Sequence, residues 1–150
     1  MLLSIKKLNL FVALNLPSAF LCGVRVKSID EINCKTSVVY KWINKNPFRS
    51  MYWAVQGMAA ELATGALIII KIKKLNQNIS MLVVRNEAEF IKKGRGTINF
   101  KCDQGDAIDK ALKNAIETKD SQTIILNSEG RDCNGNLVSK FSFYWSLKVK

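Results

Sequence analysis

Chemistry has few places to start in this chain. Its 150 residues include no histidine, and the four cysteines (Cys22, Cys34, Cys102 and Cys133) form no CxxC pair. Ser-His and Cys-His nucleophile systems are therefore excluded, the commonest zinc ligand is missing, and no metal site or cofactor is expected. Carboxylate chemistry remains, and its best candidate is Glu61, the one acid in the stretch KNPFRSMYWAVQGMAAELATG from Lys45 to Gly65. A charge kept in an apolar helix without a partner is costly, so its presence asks for a use. Gly57 lies four residues before it and Thr64 and Gly65 three and four after, which puts them on its helical face. A carboxylate beside small residues that leave space suits a general base or a nucleophile acting on a bound substrate. The plainer alternative is that Glu61 pairs with a lysine or arginine from a strand, or caps nearby amides.

The elements around this acid follow from periodicity. Asn46 followed by Pro47 matches a helix N-cap and its first-turn residue, and Ser50 is a second cap candidate; the helix is expected from about Ser50. Val55, Met58, Ala59, Leu62, Ala66 and Ile69 form its sheet-facing stripe, and Tyr52, Trp53 and Met58 read first as core packing. The β-branched run Ile68–Ile70 competes for strand, but no turn intervenes before Asn76–Asn78, so the helix is expected to continue to about Leu75.

Strands flank this helix on both sides. Residues 20–28 alternate weakly. Ile32, Cys34, Thr36, Val38, Tyr40 and Trp42 then keep one parity as the inward face of a second strand. Four more strands are expected at about Ser80–Ile91, Arg95–Cys102, Gln122–Arg131 and Leu137–Val149, the last two joined by a hairpin at Asn134–Gly135. Ile108, Leu112, Ala115 and Ile116 mark a short amphipathic helix opening near Gly105. At the N-terminus Ile5, Leu8, Val12 and Leu16 keep helical spacing, so residues 1–19 are read as an amphipathic helix of the domain rather than a signal peptide. No linker or repeat divides the chain, and residues 1–150 read as one α+β domain, a curved, mainly antiparallel six-stranded sheet wrapped around one long helix.

The segment NPFRSMYWAVQGMAAELATG, with GVRV, NEAEFIKKGRGTINF and SEGRDCNGNLVSKFSFYWSLK, resembles the hotdog-fold acyl-CoA thioesterases, and within them a largely uncharacterised bacterial branch. The likeness extends from about Ser18 through most of the chain. It rests on an asparagine, then an aromatic or histidine at a helix start, then a helix acid. It implies that Glu61 is the catalytic base or nucleophile and that Asn46 is the entry-turn asparagine. Tyr52, Trp53, Gly57, Thr64 and Gly65 would then contact substrate. Where better-known members carry a His-Gly-Gly turn, this chain has Tyr52, Trp53 and Ala54. Glycines allow a close backbone approach to the thioester, and these side chains restrict it. The implied reaction is hydrolysis of an acyl thioester, with coenzyme A entering only as part of the substrate.

The formal charge of +11 favours an anionic partner. Lys92, Lys93, Arg95 and Lys101 are candidates for the phosphates of acyl-CoA, against a bland reading as a solvated rim. No RNA-binding aromatic signature, zinc finger or basic-region helix is present, so neither nucleic acid nor a membrane is expected as partner. The resemblance further implies a homodimer or tetramer formed by sheet-edge pairing, and the helix reading of the N-terminus implies a cytoplasmic protein. A non-catalytic acyl-CoA or lipid binding module of the same fold is the second reading. Hydration or dehydration of acyl thioesters ranks lower, because those enzymes usually use a histidine.

Overall fold

The computed structural model describes residues 4–150, so the first three residues of the expected N-terminal helix lie outside the described residues. The element order is α1 (Ile5–Asn15), α2 (Pro17–Leu21), β1 (Arg25–Ile29), β2 (Cys34–Val39), a 3-10 turn (Trp42–Asn44) and α3 (Trp53–Leu75). There follow β3 (Ile79–Phe90), β4 (Thr97–Cys102), α4 (Gly105–Thr118), β5 (Gln122–Arg131) and β6 (Leu137–Val149). The six strands form one sheet, antiparallel at every pairing, in the order β1-β2-β4-β5-β6-β3.

The sheet wraps α3 because each strand offers one apolar face. In β6, Phe141, Phe143, Trp145 and Leu147 are buried on one parity, while Lys140 and Lys148 point outward. Helix α3 buries Ala59, Ala63, Leu67 and Ile68 completely. It runs unbroken through Gly65 and the β-branched run, as expected, because tertiary burial overrides their modest helix propensity. Asn76 ends it in the left-handed conformation, with Lys73 and Lys74 favourably placed in the last turn. Length and hydropathy alone would let this helix cross a bilayer, but here it is the core element.

The smaller helices close the ends of the core. Leu8 and Val12 of α1 pack inward, and the chain breaks at Leu16 because Pro17 disfavours a helical residue before it. Gly105 opens α4 where only a glycine fits, since a Cβ there would lie 2.1 Å from the Glu31 carbonyl oxygen. The Asn134–Gly135 turn joins β5 to β6, with Gly135 at φ +82°. The expected second strand is corrected at both ends: Ile32, expected inward, is 43% exposed in the bend before the strand begins at Cys34. The second strand stops at Val39, and Trp42, expected inward, is 79% exposed in the 3-10 turn. The Asn44 side chain causes the break by binding the Lys41 amide and the carbonyls of Cys22 and Val39.

Candidate active site

Asn46 and Ser50 do not cap the long helix. The Asn46 side chain instead closes the turn before it: Oδ1 accepts from the amides of Phe48 (2.9 Å) and Ser50 (3.2 Å), and Nδ2 donates to Ser50 Oγ (3.0 Å). Arg49 sits in the left-handed region at φ 59°, and Met51 donates to the Gly94 carbonyl before the chain enters α3. The helix therefore starts later than expected, with Tyr52 as an N-cap whose side chain makes no capping bond. The Tyr52 amide is already bonded to the Asn44 carbonyl, while those of Trp53 and Ala54 have no partner among the described residues. Such first-turn amides point outward along the positive end of the helix dipole.

Trp53 lines a cleft of about 660 Å³ between the Asn46–Met51 turn, the first turn of α3 and the segment Phe90–Gly94. Asn46, Tyr52, Trp53, Lys92 and Lys93 all line it. Tyr52 and Trp53 are 48% and 54% exposed, so both belong to the cleft wall and not to the core. Tyr52 meets Trp53 edge-on at 6.0 Å between centroids, and Trp53 meets Phe90 at 6.5 Å. These edge contacts fix a rigid apolar wall.

The expected cation cluster is only partly assembled. Lys92, Lys93 and Arg95 share a neighbouring hollow of about 450 Å³, whereas Lys101 lies in a separate cleft with Lys27 and Lys35 and pairs with Asp103. Lys92 reaches Asp132 at 2.7 Å and, by donating to it, holds that carboxyl down to about 2. Arg95 Nε donates to the Arg49 carbonyl at 2.9 Å.

Glu61 stands apart from this cleft, two helical turns along α3 from Trp53. It is half-buried, and its carboxylate has neither ion pair nor hydrogen bond among the described residues. Burial alone pushes its pKa up to about 6. The small residues beside it do not leave open space, contrary to expectation. They admit aromatic rings from β6: a Cβ on Gly57 would lie 3.5 Å from the Phe141 ring, and one on Gly65 would lie 3.3 Å from Trp145 and 3.4 Å from Glu61 Oε1. Thr64 is fully buried, accepting from Trp145 Nε1 at 2.9 Å and donating to the Glu61 carbonyl at 2.8 Å. The structure thus brings Glu61, Gly57, Thr64 and Gly65 together as one group, and Asn46, Tyr52, Trp53 and Lys93 as another.

No protein-family model and no curated protein matches the sequence. Solved structures do match over the whole fold. A Pseudomonas aeruginosa protein of unknown function, named a probable thioesterase, superposes with a TM-score of 0.84 at 18% identity, covering 100% of this chain and 99% of that one. A Chlorobaculum tepidum protein of unknown function gives 0.81 at 19% identity over 97% and 94% of the two chains. A Haemophilus influenzae thioesterase gives 0.73 at 10% identity, covering 99% and 93%.

The chain has a hotdog fold.

Two residues that the sequence left unmarked, Phe90 and Gln56, complete the inner side of the hotdog cleft. Phe90 ends β3 and carries the aromatic wall on to Phe141 at 5.7 Å. Gln56, only 3% exposed, lines the cleft from inside the helix and accepts from Ser139 Oγ at 2.7 Å. Its signal was available: it is the one amide side chain in the first turns of an otherwise apolar helix.

Proposed function

We propose that this protein hydrolyses an acyl thioester, with acyl-CoA as the substrate class and Glu61 as general base or nucleophile. The observation that carries the reading is the unpaired Glu61 carboxylate, held at about 6 by burial on a helix whose first residue, Trp53, has a free amide and lines a cleft. A group near 6 is mostly ionised at neutral pH, yet basic enough to accept a proton from water. Glu61 would take a proton from water as that water attacks the carbonyl and pass it to the departing thiolate, or would attack the carbonyl directly, expelling the thiolate and leaving an acyl anhydride that water then hydrolyses. The Trp53 and Ala54 amides would stabilise the oxyanion, and Asn46 would hold the turn that shapes the cleft wall. The thioesterases named among the fold neighbours support the same reaction class.

Glu61 does not line the cleft of its own protomer, which favours a site completed by a second copy. The edge strand β3 offers the means. Its free edge carries Leu82 at 64% and Val84 at 54% exposure, and an unpaired apolar edge is a template for strand addition. In this reading Glu61 of one chain faces the cleft of the other. A monomer with full activity in light scattering and thiol-release assays would overturn the arrangement.

The test of function is purified protein against short-, medium-, long-chain and aryl acyl-CoAs with thiol detection. A second reading, acyl-CoA binding without cleavage, is favoured by one observation: the Trp53 side chain stands in the cleft where a glycine would permit close approach. Tight acyl-CoA binding with no thiol released across that panel would establish it instead.

A further inference from the structure

Gln56 is 3% exposed, yet it lines the cleft at the start of α3. Its Oε1 accepts the hydroxyl proton of Ser139, itself fully buried, at 2.7 Å. That bond fixes the carboxamide plane and leaves Nε2 with two N–H groups that have no acceptor among the described residues. Buried Gly94 packs against Nε2 from the Phe90–Gly94 side: a Cβ there would come within 3.0 Å of Nε2 and 3.4 Å of Met51 Cβ, so any larger residue would press on the nitrogen. Ser128 Oγ is the one fully buried side-chain polar atom without a partner among the described residues, so Nε2, which has no partner either, keeps some exposure to the cleft that Gln56 lines. Trp53, whose amide also has no partner among the described residues, lines the same cleft, so two donors without acceptors stand beside its aromatic wall.

We propose that Gln56 is a substrate-binding residue whose Nε2 donates to the carbonyl oxygen of an acyl group seated against the wall formed by Trp53 and Phe90, so that this cleft, and not the Glu61 face, is where the acyl carbonyl is recognised. The inference rests on the acyl-thioester reading and names the acyl class: an apolar, ring-bearing group with one carbonyl acceptor. Ser139 is then a positioning residue, holding the carboxamide so that its nitrogen faces the occupant.

The probes are two non-hydrolysable analogues of benzoyl-CoA. In the ketone a methylene replaces the sulfur and the carbonyl is kept; in the benzyl thioether the sulfur is kept and the carbonyl is lost. Calorimetry on the wild type is expected to show the ketone binding about five- to tenfold more tightly, the worth of a neutral hydrogen bond. In Gln56→Met this ratio is expected to fall to about one, with thioether affinity little changed. If Gln56→Met fails to fold because Ser139 is stranded, the double variant Gln56→Met/Ser139→Ala removes both polar groups and carries the same readout. A wild-type ratio of one, a ratio that survives in the variant, or no binding of either analogue overturns the inference. Acyl-CoA turnover measured on the same preparations separates the two ideas. Hydrolysis with a ratio of one sinks the Gln56 role alone, and a Gln56-dependent ratio without hydrolysis sinks the catalytic reading alone.

Discussion

Helix α3 takes two charged side chains out of water and treats them in opposite ways. Lys71, near its C-terminal end, is only 4% exposed and reaches Asp109 of α4 at 2.7 Å. Glu61, ten residues earlier, is half-buried against Gly65 and Trp145 and reaches no partner among the described residues. The lysine therefore fastens one helix to another, and its charge is accounted for by architecture. The glutamate bears its desolvation uncompensated, and its pKa rises to about 6. That contrast, one buried charge satisfied and the other left bare, is what the proposed catalytic role of Glu61 rests on.

The comparison breaks first at activity. Glu61→Gln is expected to lower acyl-CoA turnover by about 10²–10⁴-fold while the far-UV spectrum stays native, and unchanged turnover would end the catalytic assignment. Asp109→Ala should do the reverse. It leaves Lys71 buried without its acceptor and should destabilise the fold by about 1–3 kcal/mol in urea titration, with kcat untouched. A loss of kcat there would mean that the two ends of α3 are not separable.

Stability against pH sharpens the contrast. The folded state holds Glu61 near 6 against an ordinary 4.5, so its contribution is fully present below about 4.5 and is lost as pH rises through about 6. Above that range the wild type should be up to about 2 kcal/mol less stable than Glu61→Gln, and the two should converge toward pH 4.5. Equal stabilities at pH 8 would show that the carboxylate has found a partner. The smallest effect is expected at Gly65→Ala, where the new methyl meets the Trp145 ring at 3.3 Å and should cost about 1 kcal/mol in a thermal or urea melt.

Much of the frame was legible because it is periodic. The limits of β5 and β6 and the start of α4 agree with those read from alternation and helical spacing, since each of these elements has one wet and one dry face. The aromatic residues misled. Trp42, Tyr52 and Trp53 are as apolar as Phe141 or Trp145, and residue type cannot tell a cleft wall or an exposed turn from a core. Asn46 misled for a related reason, because the side-chain bonds that cap a helix also close a tight turn. Gln56 went unread because its meaning depends on Ser139, 83 residues away.

The chain by itself determined that Glu61 would lie alone on an apolar helix and that six alternating strands would have to wrap that helix. Those are matters of local spacing and of burying one face of each element. Whether the carboxylate found a cation, whether Gly57 and Gly65 admitted rings or solvent, and which side chains met at the helix start were decided only when distant strands came into register. Charge compensation and cavity shape are set by neighbours in space, and in this protein those neighbours are far apart in sequence.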